Sequence, residues 1–117
     1  LLDAVQKKAT AGYLLAIDGR RVLVDSTHKA LNYLLQCSAG IIAKRWMVIA
    51  NDAIQNVNHT HQLAFVHDEL QYECRPEQSG DLTTALTVSA TAAGEQYHLR
   101  CRIDAEATTG TSWAETH

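Results

Sequence analysis

The long stretch without proline from 28 to 58 constrains the fold more than any other feature of the sequence. Asp25, Ser26 and Thr27 precede it and offer side-chain oxygens that can cap the first turn of a helix. A broad apolar face follows at intervals of mostly three or four residues, formed by Leu31, Leu34, Leu35, Ile42, Trp46 and Ile49. This pattern predicts a long helix at about 27–56, whose end lies in the polar residues 51–61.

Two β-hairpins are predicted around tight turns. Short apolar runs at 13–17 and 21–24 flank Asp18-Gly19, a turn pair whose glycine tolerates positive φ. Strand-like runs at 63–66 and 70–74 are separated only by His67, Asp68 and Glu69, which predicts a second hairpin with acidic residues at its tip.

The remaining segments predict two further helices and a final strand. Residues 1–9 have the spacing of an amphipathic helix, and Pro76-Glu77 begins a second helix that ends at Gly94. Residues 99–105 alternate between apolar and charged or polar side chains, as a half-buried strand does, whereas 108–117 show no usable periodicity. The sequence has no internal repeat and no flexible linker. We therefore predict a single α+β unit, with antiparallel hairpins packed against the long helix and a second helix.

Composition excludes several classes of protein. The chain has 117 residues and an ordinary share of apolar and charged residues, so it is long enough for one core. No signal peptide or membrane-spanning stretch is present, which predicts the cytosol and no membrane partner. Three widely spaced cysteines fit neither a disulfide framework nor a zinc site, so we interpret them as reduced, mostly buried thiols.

Charge is divided unevenly along the chain. The net charge of −3 by itself argues against binding to nucleic acid, yet residues 1–48 hold seven Lys/Arg against three Asp. Residues 49–117 hold three Arg against ten acidic residues. The asymmetry suggests different roles for the two parts of the chain, although ordinary scatter of solvated charge also explains it.

Asp68 and Glu69 are the first candidate site. Adjacent like charges in a tight turn repel each other, and a divalent cation would compensate for them. Mg²⁺ prefers oxygen ligands and is often held by one or two carboxylates, with water and phosphate oxygens completing its shell. The alternative is a solvated acidic turn without a ligand.

A polar stripe on the long helix is the second candidate. His28, Asn32 and Gln36 recur every four residues, and the stripe continues through Gly40 to Lys44. Amide side chains both donate and accept hydrogen bonds, which suits contact with base edges in the minor groove of a duplex. A hydrated helix face is the alternative interpretation.

Two other groupings are weaker candidates for a site. His59 and His61 lack a third ligand with supporting spacing, so a metal site is not favoured there. Asp104 and Glu106 would lie on one face of the predicted last strand, where surface charge explains them better than a catalytic pair.

Together these motifs resemble the C-terminal, palm-forming part of family A DNA polymerases, especially the replicative enzymes of T-odd phages. The similar residues include the run 18–21, Ser26-Thr27-His28, the helix positions Asn32 and Gln36 with Ser38-Ala39-Gly40 and Lys44, and the turn Val66-His67-Asp68-Glu69. The resemblance extends from about Leu2 to the closing Trp113-Ala114 and His117.

The resemblance implies a role for each matching residue. Asp68 would bind the catalytic Mg²⁺ ions, with Glu69 as the supporting acid, and His67 would contact the primer end. Asn32 and Gln36 would lie along the minor groove of the primer-template duplex, beside His28. The DNA-contacting residues implied in the preceding hairpin are Arg20 and Arg21.

The implied function is part of a DNA-directed DNA polymerase, a nucleotidyltransferase of DNA replication that uses two metal ions. The family takes a second aspartate and the nucleotide-binding fingers from upstream, and no such motif occurs in this chain. We therefore expect the isolated chain to be inactive, with primer-template DNA, the incoming dNTP and the N-terminal part of the polymerase as its partners in a phage-infected cell. Alternatives are a non-catalytic domain that binds duplex DNA, and a polymerase remnant.

Two departures from the family pattern suggest a divergent relative. Asp25 stands where the phage enzymes tend to have a basic residue, which would weaken a phosphate contact. The connection at 56–62 is also shorter than the family pattern predicts.

Overall fold

The computed structural model describes residues 1–117 and divides into two compact units, Leu1–Ile42 and Ala43–His117. The first unit contains α1, β1, β2 and the beginning of α2, and the second contains the rest of α2, β3, β4, α3 and α4. The bounds are α1 Leu2–Ala9, β1 Tyr13–Leu15, β2 Arg21–Leu23, α2 Ala30–Ala53, β3 Thr60–Val66, β4 Glu69–Cys74, α3 Ser79–Glu95 and α4 Trp113–Thr116. Short 3₁₀ turns at Thr27–Lys29, Ile54–Asn56 and Pro76–Gln78 flank the two longer helices.

The first unit is held together by a small apolar cluster. Val5 and Ala9 of α1 pack with Leu14 of β1 and with Ala30, the first residue of α2. β1 and β2 form the predicted antiparallel hairpin, with Leu15 opposite Arg21. Gly19 has φ +85°, a value that glycine adopts without a steric penalty, so the tight turn of this hairpin is possible.

The predicted side-chain cap of the long helix is wrong. Ser26 does occupy the N-cap position, but its side chain makes no capping hydrogen bond and only its backbone carbonyl accepts, from the amide of Lys29 at 3.1 Å. Asp25 instead accepts a hydrogen bond from the hydroxyl of Tyr33 at 2.9 Å. The helix begins through a 3₁₀ turn, whose own backbone bonds replace the side-chain cap.

In the second unit, α3 contacts the second half of α2. The indole Nε1 of Trp46 donates a hydrogen bond to the backbone carbonyl of Leu86 at 2.8 Å. Ala50 of α2 and Leu82, Ala90 and Ala93 of α3 are buried. β3 and β4 form the second antiparallel hairpin, with a register irregularity between Gln62 and Ala64. Both hairpins and the second helix confirm the predicted α+β class.

The predicted final strand is absent. Residues 99–105 are bent or irregular and form no ladder hydrogen bonds, and both sheets have only two strands. Ile103 lies against Gly94 of α3, so one apolar side chain docks on a helix while its neighbours face solvent. Alternation of apolar and polar residues reports one buried face, and a segment lying on a helix satisfies the same pattern as a strand.

Two smaller observations complete the fold. The three cysteines are free, with Cys37 and Cys74 half-buried and Cys101 exposed, so Cys101 departs from the buried position expected for it. None of the helices combines the length and the apolar character needed to cross a membrane.

Candidate functional site

The turn between β3 and β4 contains only two residues, His67 and Asp68. β3 ends at Val66 and β4 begins at Glu69, and these two residues pair across the hairpin. Glu69 is therefore a strand residue and not part of the tip. Within the turn His67 has φ +57°, whereas Asp68 does not have a positive φ.

Histidine at this turn position is strained. A positive φ in a two-residue hairpin turn is usually adopted by Gly, Asn or Asp, and left-handed backbone costs other residues about 1 kcal/mol. Strained backbone of this kind is concentrated at functional sites, where the position of the side chain matters more than the local energy. The imidazole of His67 and the carboxylate of Asp68 are both exposed at the tip.

The two neighbouring acids have different surroundings. Asp68 makes no ion pair and no side-chain hydrogen bond within the chain, so its carboxylate is free to bind a ligand. Glu69 is only half exposed, and its Oε1 accepts a hydrogen bond from Nε2 of Gln71 at 3.0 Å. The same oxygen lies 2.7 Å from Nε2 of His117, which forms an ion pair with Glu69 when the imidazole is protonated.

A divalent cation fits this pair of carboxylates only as part of a larger ligand set. The chain contains no group of three or more His, Cys, Asp or Glu side chains that could hold a metal ion. An unengaged Asp68 beside an oriented Glu69 matches the one or two protein carboxylates that commonly hold Mg²⁺. With only these two carboxylates the turn would supply at most a half-site, which other oxygen ligands would have to complete.

The polar stripe predicted on the long helix is exposed. Asn32 and Gln36 lie one turn apart on α2, and His28 lies in the preceding 3₁₀ turn. Their side chains make no hydrogen bond within the chain, so the amides remain available to an external partner. These three residues belong to the first unit, whereas the hairpin tip belongs to the second.

The two arginines of the first hairpin are engaged within the chain. Arg20 points its guanidinium at Asp18, with Nε and Nη2 both 2.7 Å from Oδ2. Although desolvation acts to raise it, the hydrogen bonds and charge of Arg20 lower the pKa of Asp18 below its usual value. Arg21 instead lies over the ring of Tyr13, with its guanidinium carbon 4.8 Å from the centroid. Both arginine side chains remain at the surface.

The two groupings that were not favoured gain no support from the structure. His59 and His61 belong to no metal-ligating group. Oδ2 of Asp104 lies 3.7 Å from Nη2 of Arg102 at the surface, so this carboxylate takes part in an exposed ion pair.

The two residues that contact Glu69, Gln71 and His117, were not predicted from the sequence. Gln71 lies two positions along β4, on the same face of the strand, so the period of a strand was a usable signal for it. His117 is far away in the chain and lies beyond α4, where no pattern pointed to Glu69.

Comparison with known proteins places the chain in a family. The profile of DNA polymerase family A matches residues 6–115. The DNA-directed DNA polymerases of Enterobacteria phage T3 and Escherichia phage T7 are each 32% identical over 120 residues, which cover 96% of this chain. That of Escherichia phage Phieco32 is 30% identical over 125 residues and covers 100% of the chain.

A solved structure is similar as well. The POL domain of Pol1 from M. smegmatis, in complex with DNA primer-template and dNTP, superposes with a TM-score of 0.70 and 29% identity, covering 79% of this chain and 19% of its own. The chain spans only 17% of the T3 and T7 enzymes and 20% of the Phieco32 enzyme. The profile match covers nearly the whole chain, and the chain therefore belongs to DNA polymerase family A.

Proposed function

We propose that the chain forms part of the polymerase domain of a DNA-directed DNA polymerase, in which Asp68 holds the catalytic metal ions. The observation that carries the proposal is the exposed carboxylate of Asp68, which has no partner within the chain although it stands in a tight turn. An acid kept free at a strained turn is an expected arrangement for a metal ligand.

Each residue of the turn has a distinct role in this proposal. Asp68 offers both carboxylate oxygens, and Glu69, held by Gln71, offers its second oxygen from the adjoining strand. Two Mg²⁺ ions held by these residues and by the rest of the polymerase would supply activation of the primer 3′-hydroxyl and stabilisation of the departing pyrophosphate. His67, displayed by its positive φ, contacts the primer end.

The hairpin and the long helix then act as two functional parts of the segment. The hairpin at about 63–74 carries the metal ligands, and the helix at about 27–56 contacts the DNA. Asn32, Gln36 and His28 are exposed and free to reach the minor groove of the primer-template duplex. Arg21 contacts the phosphate backbone, whereas Arg20 contributes only if its bonds to Asp18 exchange for phosphate.

The proposed partners are those that would complete the metal site. The remaining metal ligands and the incoming dNTP are held by the rest of the polymerase, so the isolated chain does not extend a primer. The phage relatives favour action in an infected host cell, without a membrane partner.

A variant of Asp68 tests the metal site in the isolated chain. Mn²⁺ broadens the NMR signals of nearby amides, so added Mn²⁺ should broaden those of residues 67–69 in the native chain and not in Asp68→Asn. The matched control is Asp52→Asn, which removes an exposed carboxylate from α2 and should leave the broadening at the hairpin unchanged. Equal broadening in the Asp68→Asn chain would refute the proposed metal site.

A hybrid enzyme tests the activity. In this hybrid, the 117-residue segment replaces the matching residues of the phage T7 polymerase. Primer extension by the hybrid is then measured with Mg²⁺. Extension by the native segment, lost in Asp68→Asn and kept in Asp52→Asn, is the expected result.

A non-catalytic domain that binds duplex DNA is the second candidate, favoured by the exposed amide stripe of α2. In that case the hybrid with the native segment would bind DNA but would not extend a primer, and Asp68→Asn would change neither property. Loss of extension with DNA affinity retained would exclude the non-catalytic domain.

A further inference from the structure

The segment around α4 is tightly braced although it is very short. A helix of four residues is not stable by itself, since its nucleation costs more than its few hydrogen bonds return. Here the carboxylate of Glu115 accepts hydrogen bonds from the amide of Thr111 at 2.6 Å and from its hydroxyl at 3.0 Å. Gly110 approaches so closely that an added Cβ would lie 2.6 Å from Cβ of Glu115. These contacts hold the local conformation of the segment that precedes His117.

The ring of His117 is fixed in two further ways. It stacks on Trp113 with a centroid distance of 4.5 Å and an interplanar angle of 10°. Its Nδ1 lies 3.1 Å from the backbone carbonyl of Trp113 and 3.1 Å from the hydroxyl of Thr116. The hydroxyl of Thr116 lies 2.9 Å from the Trp113 carbonyl and can donate either to it or to Nδ1, so Nδ1 can act as an acceptor while Nε2 carries the proton. The opposite nitrogen, Nε2, then points at Glu69.

Glu69 therefore has two unequal oxygens. Oε1 receives two donors, Nε2 of His117 at 2.7 Å and Nε2 of Gln71 at 3.0 Å. Oε2 has no partner within the chain. Two donors on one oxygen restrict rotation of the carboxylate, so the free oxygen is held in one direction.

Resting on the proposed function, we infer that His117 is a positioning residue for metal binding. Its imidazole pins Oε1 of Glu69 so that Oε2 is presented, together with Asp68, to a divalent cation. Partners that orient a metal ligand are typically worth 10- to 100-fold in metal affinity. The Glu69 and His117 side chains are 45% and 35% exposed, so we expect the low end of that range, about tenfold.

An electrostatic argument predicts the opposite result. If His117 acted only as a cation that neutralises Glu69, removing it would leave an additional free carboxylate and strengthen metal binding. The direction of the change therefore separates the pinning of Glu69 from simple charge compensation.

The test is a Mn²⁺ titration of the 117-residue chain at constant neutral pH, monitored by broadening of the amide signals of residues 67–69. His117→Ala should weaken Mn²⁺ binding by about tenfold. His117→Gln should restore most of the affinity, because its amide donates a hydrogen bond to Oε1 without a charge. His61→Ala, at the other end of the same hairpin, is the matched control and should leave the affinity unchanged.

Three results would overturn the inference: unchanged affinity in His117→Ala, stronger binding in that variant, or a Gln variant as weak as the Ala variant. Circular dichroism of each variant shows whether the fold is kept. Should His117→Ala unfold, Glu69→Gln in the otherwise native chain reports on the same contact. The ring signals of His117 and Trp113 should then shift, and unshifted signals would contradict the contact between His117 and Glu69.

The two proposals fail in different ways. If Asp68→Asn keeps the native Mn²⁺ affinity, the proposed metal site itself is wrong. If Asp68→Asn loses that affinity while His117→Ala keeps it, only the role of His117 is wrong.

Discussion

Gly94→Ala should destabilise the second unit, because the side chain of Ile103 occupies the space that the added Cβ needs. A Cβ added at Gly94 would lie 2.5 Å from Cγ1 and 2.7 Å from Cβ of Ile103, closer than real Cβ atoms approach. The Cβ of Ile103 is attached directly to its backbone, so a change of rotamer does not clear it and the chain around 103 has to move.

The size of the effect follows from two opposing terms. Forcing extra volume into a packed site costs about 1–3 kcal/mol. Alanine returns up to about 1 kcal/mol relative to glycine within a helix, and less at Gly94, next to the last residue of α3. The net expectation is a loss of about 1–2 kcal/mol in the free energy of unfolding.

Urea unfolding monitored by tryptophan fluorescence measures this loss. Trp46 donates its indole hydrogen bond to the Leu86 carbonyl of α3, so its emission reports on the packing within the second unit. Gly80→Ala is the matched control, because it lies in the same helix and an added Cβ meets nothing within 4 Å. That control should be neutral or stabilising.

Making Gly94→Ala in a chain that also carries Ile103→Ala tests whether the contact with Ile103 causes the loss of stability. Cγ1 of Ile103 is then absent and the loosely held segment can shift at lower cost, so Gly94→Ala should lose less stability there, or none. A Gly94→Ala chain as stable as the native one would refute the reasoning. So would the same loss of stability in both backgrounds, since the contact with Ile103 would then not be its source.

Two further predictions concern the same unit. Trp46→Phe should lower the free energy of unfolding by about 1 kcal/mol in urea unfolding measured by circular dichroism, because it removes the hydrogen bond to Leu86; no change would mean that the bond is not formed in solution. The backbone amide and the hydroxyl of Thr111 hold the pKa of Glu115 below its ordinary value of 4.5. Because this pKa is lowered on folding, the stabilisation is present above about pH 4.5 and is lost as pH falls through the folded value. Carboxyl ¹³C NMR should give a pKa below the ordinary value, raised in part by Thr111→Ala, and an unshifted pKa in the native chain would contradict the contact.

The elements that the sequence predicted correctly depend on local signals. The first hairpin follows from Asp18-Gly19, whose glycine takes the positive φ that the turn needs. The long helix follows from its apolar spacing and the absence of proline, and the observed Ala30–Ala53 lies within the predicted range. Each of these signals acts over a few residues, so a single sequence contains it.

The predictions that failed concern choices between alternatives that the sequence does not distinguish. Alternation at 99–105 specifies which side chains are buried, but the partner is α3 and not another strand. Asp25 was expected to help cap the helix, yet its carboxylate is taken by Tyr33 on the following turns. In both cases the outcome depends on a residue that is close in space but not adjacent in sequence. The local pattern does not identify that residue.

The two acids of the candidate site also have surroundings that the sequence does not predict. The sequence presents Asp68 and Glu69 as an adjacent like-charged pair, with no reason to treat their environments differently. In the structure Glu69 opens a strand and has two donors on one oxygen, while Asp68 stands free in the turn. Repulsion between the pair is therefore relieved on one side only. The energetic case for a cation consequently rests on Asp68, and Glu69 would serve it by direction more than by charge.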